Sequence, residues 1–275
     1  MSMPDPILIT GCSSGIGAAV ARRLIDADHI VYATARNPAS LAGLDGAVVR
    51  ALDVTDEASM SAVVDEIVRE HGKVGALVNN AGYGEYGAIE DVPMDAVRKQ
   101  FETNVFGLAR LTQLVLPSMR AAGSGRIVNI SSMGGRLTFP FGGYYHASKH
   151  AVEAISDALR VEVAPFGVQV VIVEPGLITT RFGSTAAETM TGSTQRDSAY
   201  REPTAAVEKA MAQSYGNKLL TGAPEAVAKA VERALTAKSP RSRYVVTPAA
   251  RALITTRAVA PGKVWDRVVK LNFRI

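Results

Sequence analysis

Tyr145 and Lys149 stand four residues apart, so on a helix they share one face. A phenol titrates near ~10 and is a poor acid or base at neutral pH. An ammonium beside it favours phenolate and brings that value down. Tyr145 is then suited to accept a proton from an alcohol or to return one to a developing alkoxide. Its neighbour Tyr144 has Ser148 four residues on, which leaves it a packing or pocket role. His146 turns away by about 100° per residue and reads as structural. At the end of an apolar run, Ser132 offers a hydroxyl that can bond the substrate oxygen in the transition state. Ser131 is its rival.

A second constellation lies near the start of the chain. Thr10-Gly11-Cys12-Ser13-Ser14-Gly15-Ile16-Gly17 follows a short apolar run and opens a helical stretch. Gly11 permits a tight turn, while Gly15 and Gly17 leave room for a pyrophosphate to approach the backbone and the helix N-terminus. The spacing is GxxxGxG rather than the general GxGxxG. At the end of the second strand, a site built for NAD places an acid on the ribose hydroxyl. Here the segment is Ala33-Thr34-Ala35-Arg36-Asn37. Arg36 can pair with a 2′-phosphate instead, so NADP(H) is the expected cofactor. The positive charge of its oxidised ring would add to Lys149 in lowering the Tyr145 pKa.

These residues need a scaffold, and the apolar pattern supplies one. Strands are predicted over 7–10, 30–35, 48–53, 76–79, 126–131, 168–174 and 243–247. Helices are predicted over 15–28, 56–71, 94–122, 144–166 and 224–237. The strands are almost uniformly apolar, as in a parallel sheet covered on both faces. Right-handed crossovers would build a Rossmann-like doubly wound α/β fold. No Pro/Gly/Ser linker divides the chain, so residues 1–275 are expected to form one domain, with 249–275 as its C-terminal extension. Residues 176–222 read as a substrate-binding insertion at a strand's carboxyl end, with a helix in 203–215.

The pattern TGxxxGIG over Thr10–Gly17 resembles the short-chain dehydrogenase/reductase family. The resemblance continues through Asn79-Asn80-Ala81-Gly82, Asn104, Ser132, Tyr145 with Lys149, and Pro175-Gly176. It implies a catalytic set of Asn104, Ser132, Tyr145 and Lys149, with Ser132 favoured over Ser131 by its distance from Tyr145. It also implies that Asn104 holds Lys149 through an ordered water. Cofactor contacts are implied for Gly11, Ser13, Ser14, Gly15, Ile16, Gly17, Arg36, Asp53, Val54, Asn80, Ala81, Gly82, Tyr145, Lys149, Pro175, Gly176, Ile178 and Thr180. Asp53 and Val54 would touch the adenine, and Ile178 and Thr180 the carboxamide. Gly142 and Gly143 stand where enoyl-reducing relatives carry tyrosine, and the C-terminal DGG of many ketoacyl-reducing relatives is absent. The stretches Val31–Arg36 and Pro240–Tyr244 look closer to the 17β-hydroxysteroid and retinol dehydrogenase-like branch.

Tyr83, Phe139, Phe141, Leu177 and Phe182 predict an apolar cleft for a hydrophobic ketone, aldehyde or alcohol. A cofactor-binding sensor or interaction protein without catalysis would not need Ser132, Tyr145 and Lys149 together. No metal site is expected, since no His, Cys or carboxylate cluster has ligand spacing. One cysteine, Cys12, rules out an intrachain disulfide framework and suits a reducing, cytoplasmic setting. The N-terminal residues leave no room for a signal peptide. Residues 238–275 carry nine Lys or Arg against one acid, yet no nucleic-acid-binding motif accompanies them. In the tail, Val264, Val268 and Leu271 share a helical face, with Arg267, Lys270 and Arg274 around the rest. That helix could pack on its own domain, on a partner subunit, or weakly on a membrane. The resemblance further implies a homodimer or homotetramer.

Overall fold

Seven short runs of apolar and β-branched residues become strands of one parallel sheet, because helices cover both of its faces. The computed structural model describes residues 5–194 and 197–273. In chain order the strands are β1 (Ile7–Ile9), β2 (Val31–Ala35), β3 (Val48–Ala51), β4 (Ala76–Asn79), β5 (Gly125–Ile130), β6 (Val168–Pro175) and β9 (Arg243–Val246). Their order across the sheet is β3-β2-β1-β4-β5-β6-β9, all parallel. The direction of the crossovers reverses between the neighbouring strands β1 and β4. At such a switch point the loops leaving the strand ends diverge and open a crevice for ligands.

On one face, α1 (Gly15–Ile25) and α8 (Pro224–Thr236) pack Val20, Leu24, Val227 and Val231 against Ile9, Val78 and Val173. On the other lie α2 (Glu57–His71), α4 (Leu108–Ala121) and α5 (Gly143–Val163). They set Ile67, Leu111 and Val115 against Leu8, Leu77 and Ile127. Each such buried aliphatic side chain contributes about 1.5–3 kcal/mol over leaving it exposed. The ends of α2 show how local chemistry sets an element. The Asp56 carboxylate accepts from the N–H groups of Ala58 and Ser59, and Gly72 closes the helix in the left-handed conformation.

One expectation is corrected here, and two are extended: the expected helix within 203–215 is present as part of a longer insertion, and the face shared by Val264, Val268 and Leu271 is present on the tail helix. The predicted helix over 94–122 is α3 (Met94–Phe101), a π-helical turn over Glu102–Gly107, and α4. That wider turn carries Asn104 into the interior, where it is buried. The insertion holds two helices, α6 (Phe182–Ser193) and α7 (Arg201–Gly216). It also holds a two-stranded ladder of β7 (Leu177–Ile178) and β8 (Thr221–Gly222). The tail forms α9 (Pro248–Val259) and α10 (Gly262–Phe273), but α10 turns Trp265 and Phe273 inward. Val264, Val268 and Leu271 face outward, and Arg274 lies outside the described residues. Two aromatic rings offer more area to bury than two valines and a leucine, so they take the inner face.

Candidate active site

The cofactor side of the site begins with the turn between β1 and α1. Gly11 has a φ of +72°, and a Cβ there would come within 2.9 Å of the Ala81 Cα. A Cβ on Gly17 would collide with the Gly11 carbonyl and sit 2.5 Å from Asn80 Nδ2. Closure of the turn onto itself therefore requires glycine at 17, a second demand beside the expected one of admitting a pyrophosphate. Asn80 is the clamp: its side-chain amide donates to the carbonyls of Thr10 and Gly11, at 2.9 and 3.1 Å. Thr10 Oγ1 accepts from the N–H groups of both Asn80 and Ala81, each at 3.0 Å. At the start of α1, the Ser14 side chain makes no capping hydrogen bond. The first helical N–H groups thus remain available to an anion.

A cleft of about 1190 Å³ runs from this turn to Tyr145. The turn lines it through Gly11, Ser13, Ser14, Gly15, Ile16 and Gly17. Arg36, Asp53 and Val54 border it beyond β2 and β3, and Asn80, Ala81 and Gly82 beyond β4. Pro175, Gly176, Ile178 and Thr180 border it after β6, facing Ser132, Tyr145 and Lys149. Only Asn104, among the site residues expected from sequence, does not line the cleft. Its amide accepts from the Tyr83 N–H (3.1 Å) and donates to the Tyr83 carbonyl (2.9 Å) and the Ser148 hydroxyl (3.1 Å). It fixes the loop after β4 to α5, directly behind Lys149. A glycine-walled turn, an open helix N-terminus and an exposed arginine after β2 together fit a nicotinamide dinucleotide.

The titrating groups differ from the simple expectation. Tyr145 is held up at about 12 by burial, with a hydrogen bond from Ser132 pulling the other way. The Lys149 ammonium donates to the Ile130 carbonyl at 2.9 Å. Burial brings Lys149 itself down to about 8, against the opposing charge of Glu153. The choice between the adjacent serines is geometric. Ser132 caps the short turn Met133–Gly135 and stands beside Tyr145. The Ser131 hydroxyl lies with Glu153 on the far side, both crowding the same point next to Gly135.

A model of the family described as short chain dehydrogenase matches residues 5–191. The chain belongs to the short-chain dehydrogenase family. It is 45% identical over 179 residues to a 3-ketodihydrosphingosine reductase of Bacteroides thetaiotaomicron, covering 65% of this chain and 66% of that protein. An NADPH-dependent 3-dehydrocapnine reductase of Ornithobacterium rhinotracheale is 36% identical over 273 residues, covering 95% of this chain and 94% of that protein. The crystal structure of a short-chain dehydrogenase from Streptomyces avermitilis matches with a TM-score of 0.82 at 35% identity, over 98% of each chain. Other solved structures of this fold hold NADP in some cases and NAD in another. Membership of this family makes the protein an oxidoreductase.

The substrate side of this dehydrogenase is aromatic. Tyr86 stacks on Tyr145 with ring centres 5.5 Å apart, and Phe182 tilts over it at 5.2 Å. Phe139 stacks on Trp265 at 6.2 Å and meets Phe273 at 5.4 Å. Tyr83, Leu177, Phe139 and Phe182 line the cleft as expected, but Phe141 does not. It adopts a φ of +64° and gives its carbonyl to the Gly87 N–H at 2.7 Å. Tyr144 donates to the Ile89 carbonyl at 3.2 Å, outside the cleft. His146 borders the cleft against Tyr86 and Phe139, and burial holds it neutral, down to about 4.

Sequence reasoning missed Tyr86, Trp265 and Phe273, and also an ion-pair network behind the site. Arg243 on β9 reaches Glu153 at 3.1 Å, Asp157 at 2.5 Å and the fully buried Glu174 at 3.3 Å. Arg136 meets Glu174 at 3.0 Å. Four elements are joined this way: the Ser132 turn, the Tyr145 helix, the strand leading to Pro175, and β9. The only local signal for it was an acid one helical turn beyond Lys149.

Proposed function

We propose that this dehydrogenase prefers NADP(H) and interconverts a hydrophobic ketone or aldehyde with its alcohol, using Tyr145 as general acid and base. The observation that carries this reading is the position of Tyr145, between the Ser132 hydroxyl and an aromatic wall, in the cleft that begins at the glycine turn. In the reducing direction, Tyr145 Oη gives its proton to the carbonyl oxygen. Ser132 Oγ holds the same oxygen by a hydrogen bond as charge develops on it. Lys149 and Asn104 are the positioning side of the set, one buried beside the nicotinamide end and the other locking the loop behind it. NADPH held by the glycine turn and Arg36 would supply the hydride, and the positive ring it becomes would favour the Tyr145 phenolate that takes the alcohol's proton in the oxidising direction.

NADP(H) preference rests on Arg36. It follows β2 at the cleft edge, exposed, with no ion pair among the described residues. Hydrophobic substrate choice rests on the aromatic wall, and the two relatives named above as reductases support a ketone. The likeness of residues 240–244 to the 17β-hydroxysteroid and retinol dehydrogenase-like branch points the same way. The reading takes residues 1–275 as one domain in a reducing, cytoplasmic setting, with no nucleic-acid partner. It takes the assembly as a homodimer or homotetramer, supported by exposed Phe106, Val161 and Phe166 around α4 and α5.

The test is absorbance at ~340 nm with a panel of hydrophobic ketones and alcohols, run with NADP(H) and NAD(H) in parallel. Ketone-dependent NADPH oxidation is expected. Arg36→Ala should weaken NADPH binding roughly 10- to 100-fold, the worth of a charge-assisted hydrogen bond, and leave NADH binding unchanged. Activity only with NADH would refute the preference. Tight NADPH binding without turnover of any substrate would favour the sensor reading.

A further inference from the structure

We propose that α10 docks this protein on an anionic membrane surface. The helix has apolar side chains on two sides, and its own fold uses only one. Trp265 and Phe273 are buried against Phe139, with Val269 packed beside them. On another face, Val264, Val268 and Leu271 are 51%, 41% and 75% exposed. At 100° per residue these three fall within about 60° of one another. Lys263, Arg267 and Lys270 cover the adjoining flank, and none makes an ion pair among the described residues. Asp266 is the only acid on the helix.

An apolar stripe with a cationic border is the arrangement by which a helix lies in a membrane interface. The stripe enters the acyl boundary, and the ammonium and guanidinium groups meet lipid phosphates. No helix among the described residues is long and apolar enough to cross a membrane, so the contact is peripheral. The cations decide between occupants. A second copy of this chain would bring the same basic flank and repel it, whereas an anionic bilayer neutralises it.

The position of α10 gives docking a use. Trp265, Val269 and Phe273 roof the substrate end of the cleft, and Val268 lines the cleft while remaining exposed. The stripe therefore meets the rim of the cleft, and docking places that rim where a hydrophobic ketone partitions. This use rests on the substrate reading proposed above; the docking does not.

Co-sedimentation with vesicles separates the two, because it needs no turnover. The full chain is mixed with vesicles of phosphatidylcholine alone, or with roughly a third phosphatidylglycerol. Binding is expected only to the anionic vesicles, and it should weaken as salt rises from ~0.05 to ~0.5 M. Val264→Asn with Leu271→Asn should reduce it by roughly tenfold or more. Lys263→Glu, Arg267→Glu and Lys270→Glu together change only exposed side chains and should reduce it roughly a hundredfold, about fivefold per cation. Both variants should melt at the wild-type temperature. Wild-type protein that stays in the supernatant, or variants that sediment equally well, would overturn the proposal. So would a change in oligomeric mass for the Val264/Leu271 variant without vesicle binding, which would assign the stripe to a second copy.

Discussion

The two ends of the cleft are built on different principles. The cofactor end comes from successive strand–turn–helix units, and its key positions are set by backbone geometry. Gly11 needs a positive φ, Gly17 has no space for a Cβ, and Asn80 bonds two neighbouring carbonyls. The substrate end is assembled from distant segments: Tyr86, Phe139, Phe182 and the α10 residues Trp265 and Phe273. Its shape is set by which side chains happen to pack together. Backbone requirements tolerate almost no change, while a packed wall can be varied to suit another substrate. One chain therefore carries a fixed cofactor grip and an adaptable substrate wall.

That contrast can be broken by mutation. Gly17→Val should have the largest effect, since the new side chain meets the Gly11 carbonyl and Asn80. We expect loss of measurable NADPH binding and a destabilisation of about 1–3 kcal/mol, read by nucleotide titration and denaturant melts. Wild-type binding in that variant would show that the turn is not rigid. Trp265→Ala should act on the other end only. It should raise KM for bulky ketones roughly tenfold, about 1.4 kcal/mol, with NADPH binding unchanged. An equal loss for small and bulky ketones would remove α10 from the substrate wall.

Glu153→Gln acts on the ion-pair network behind the site. Burial and the neighbouring Glu174 raise the Glu153 carboxyl to about 7. A raised acid contributes stability that is complete below its unfolded value of 4.5 and is lost as pH rises through about 7. Glutamine cannot ionise, so the melting temperature of the variant relative to wild type should climb between pH ~5 and ~8, by a few degrees. A difference that is flat with pH would mean Glu153 stays ionised throughout.

Much of the fold was legible because buried parallel strands leave a plain mark, such as Ile7–Ile9 or Val168–Pro175. The cofactor side was legible in its glycines, which act through their own backbone, whereas the Asn80 clamp closes across 70 residues and only its Asn-Asn-Ala-Gly motif marked it. Other features had no local mark. Residues Glu102–Gly107 read as ordinary helix, and only packing around Asn104 reveals the π-helical turn. In α10 both Val264/Val268/Leu271 and Trp265/Val269/Phe273 make apolar faces, so periodicity alone could not choose the inner one. The Tyr145 pKa depends on how deeply the phenol is buried, which only the packed structure shows. Arg243 and Glu153 are 90 residues apart in the chain, and nothing between them announces their meeting.

In the function proposed, Tyr145 supplies the proton where the two ends of the cleft meet. The most direct test of that role is a paired measurement on Tyr145→Phe: NADPH binding by nucleotide fluorescence, and ketone-dependent NADPH oxidation. Binding within about twofold of wild type is expected, with turnover reduced by roughly 10²–10⁴, the usual contribution of a positioned general acid. Wild-type turnover in that variant would contradict the role.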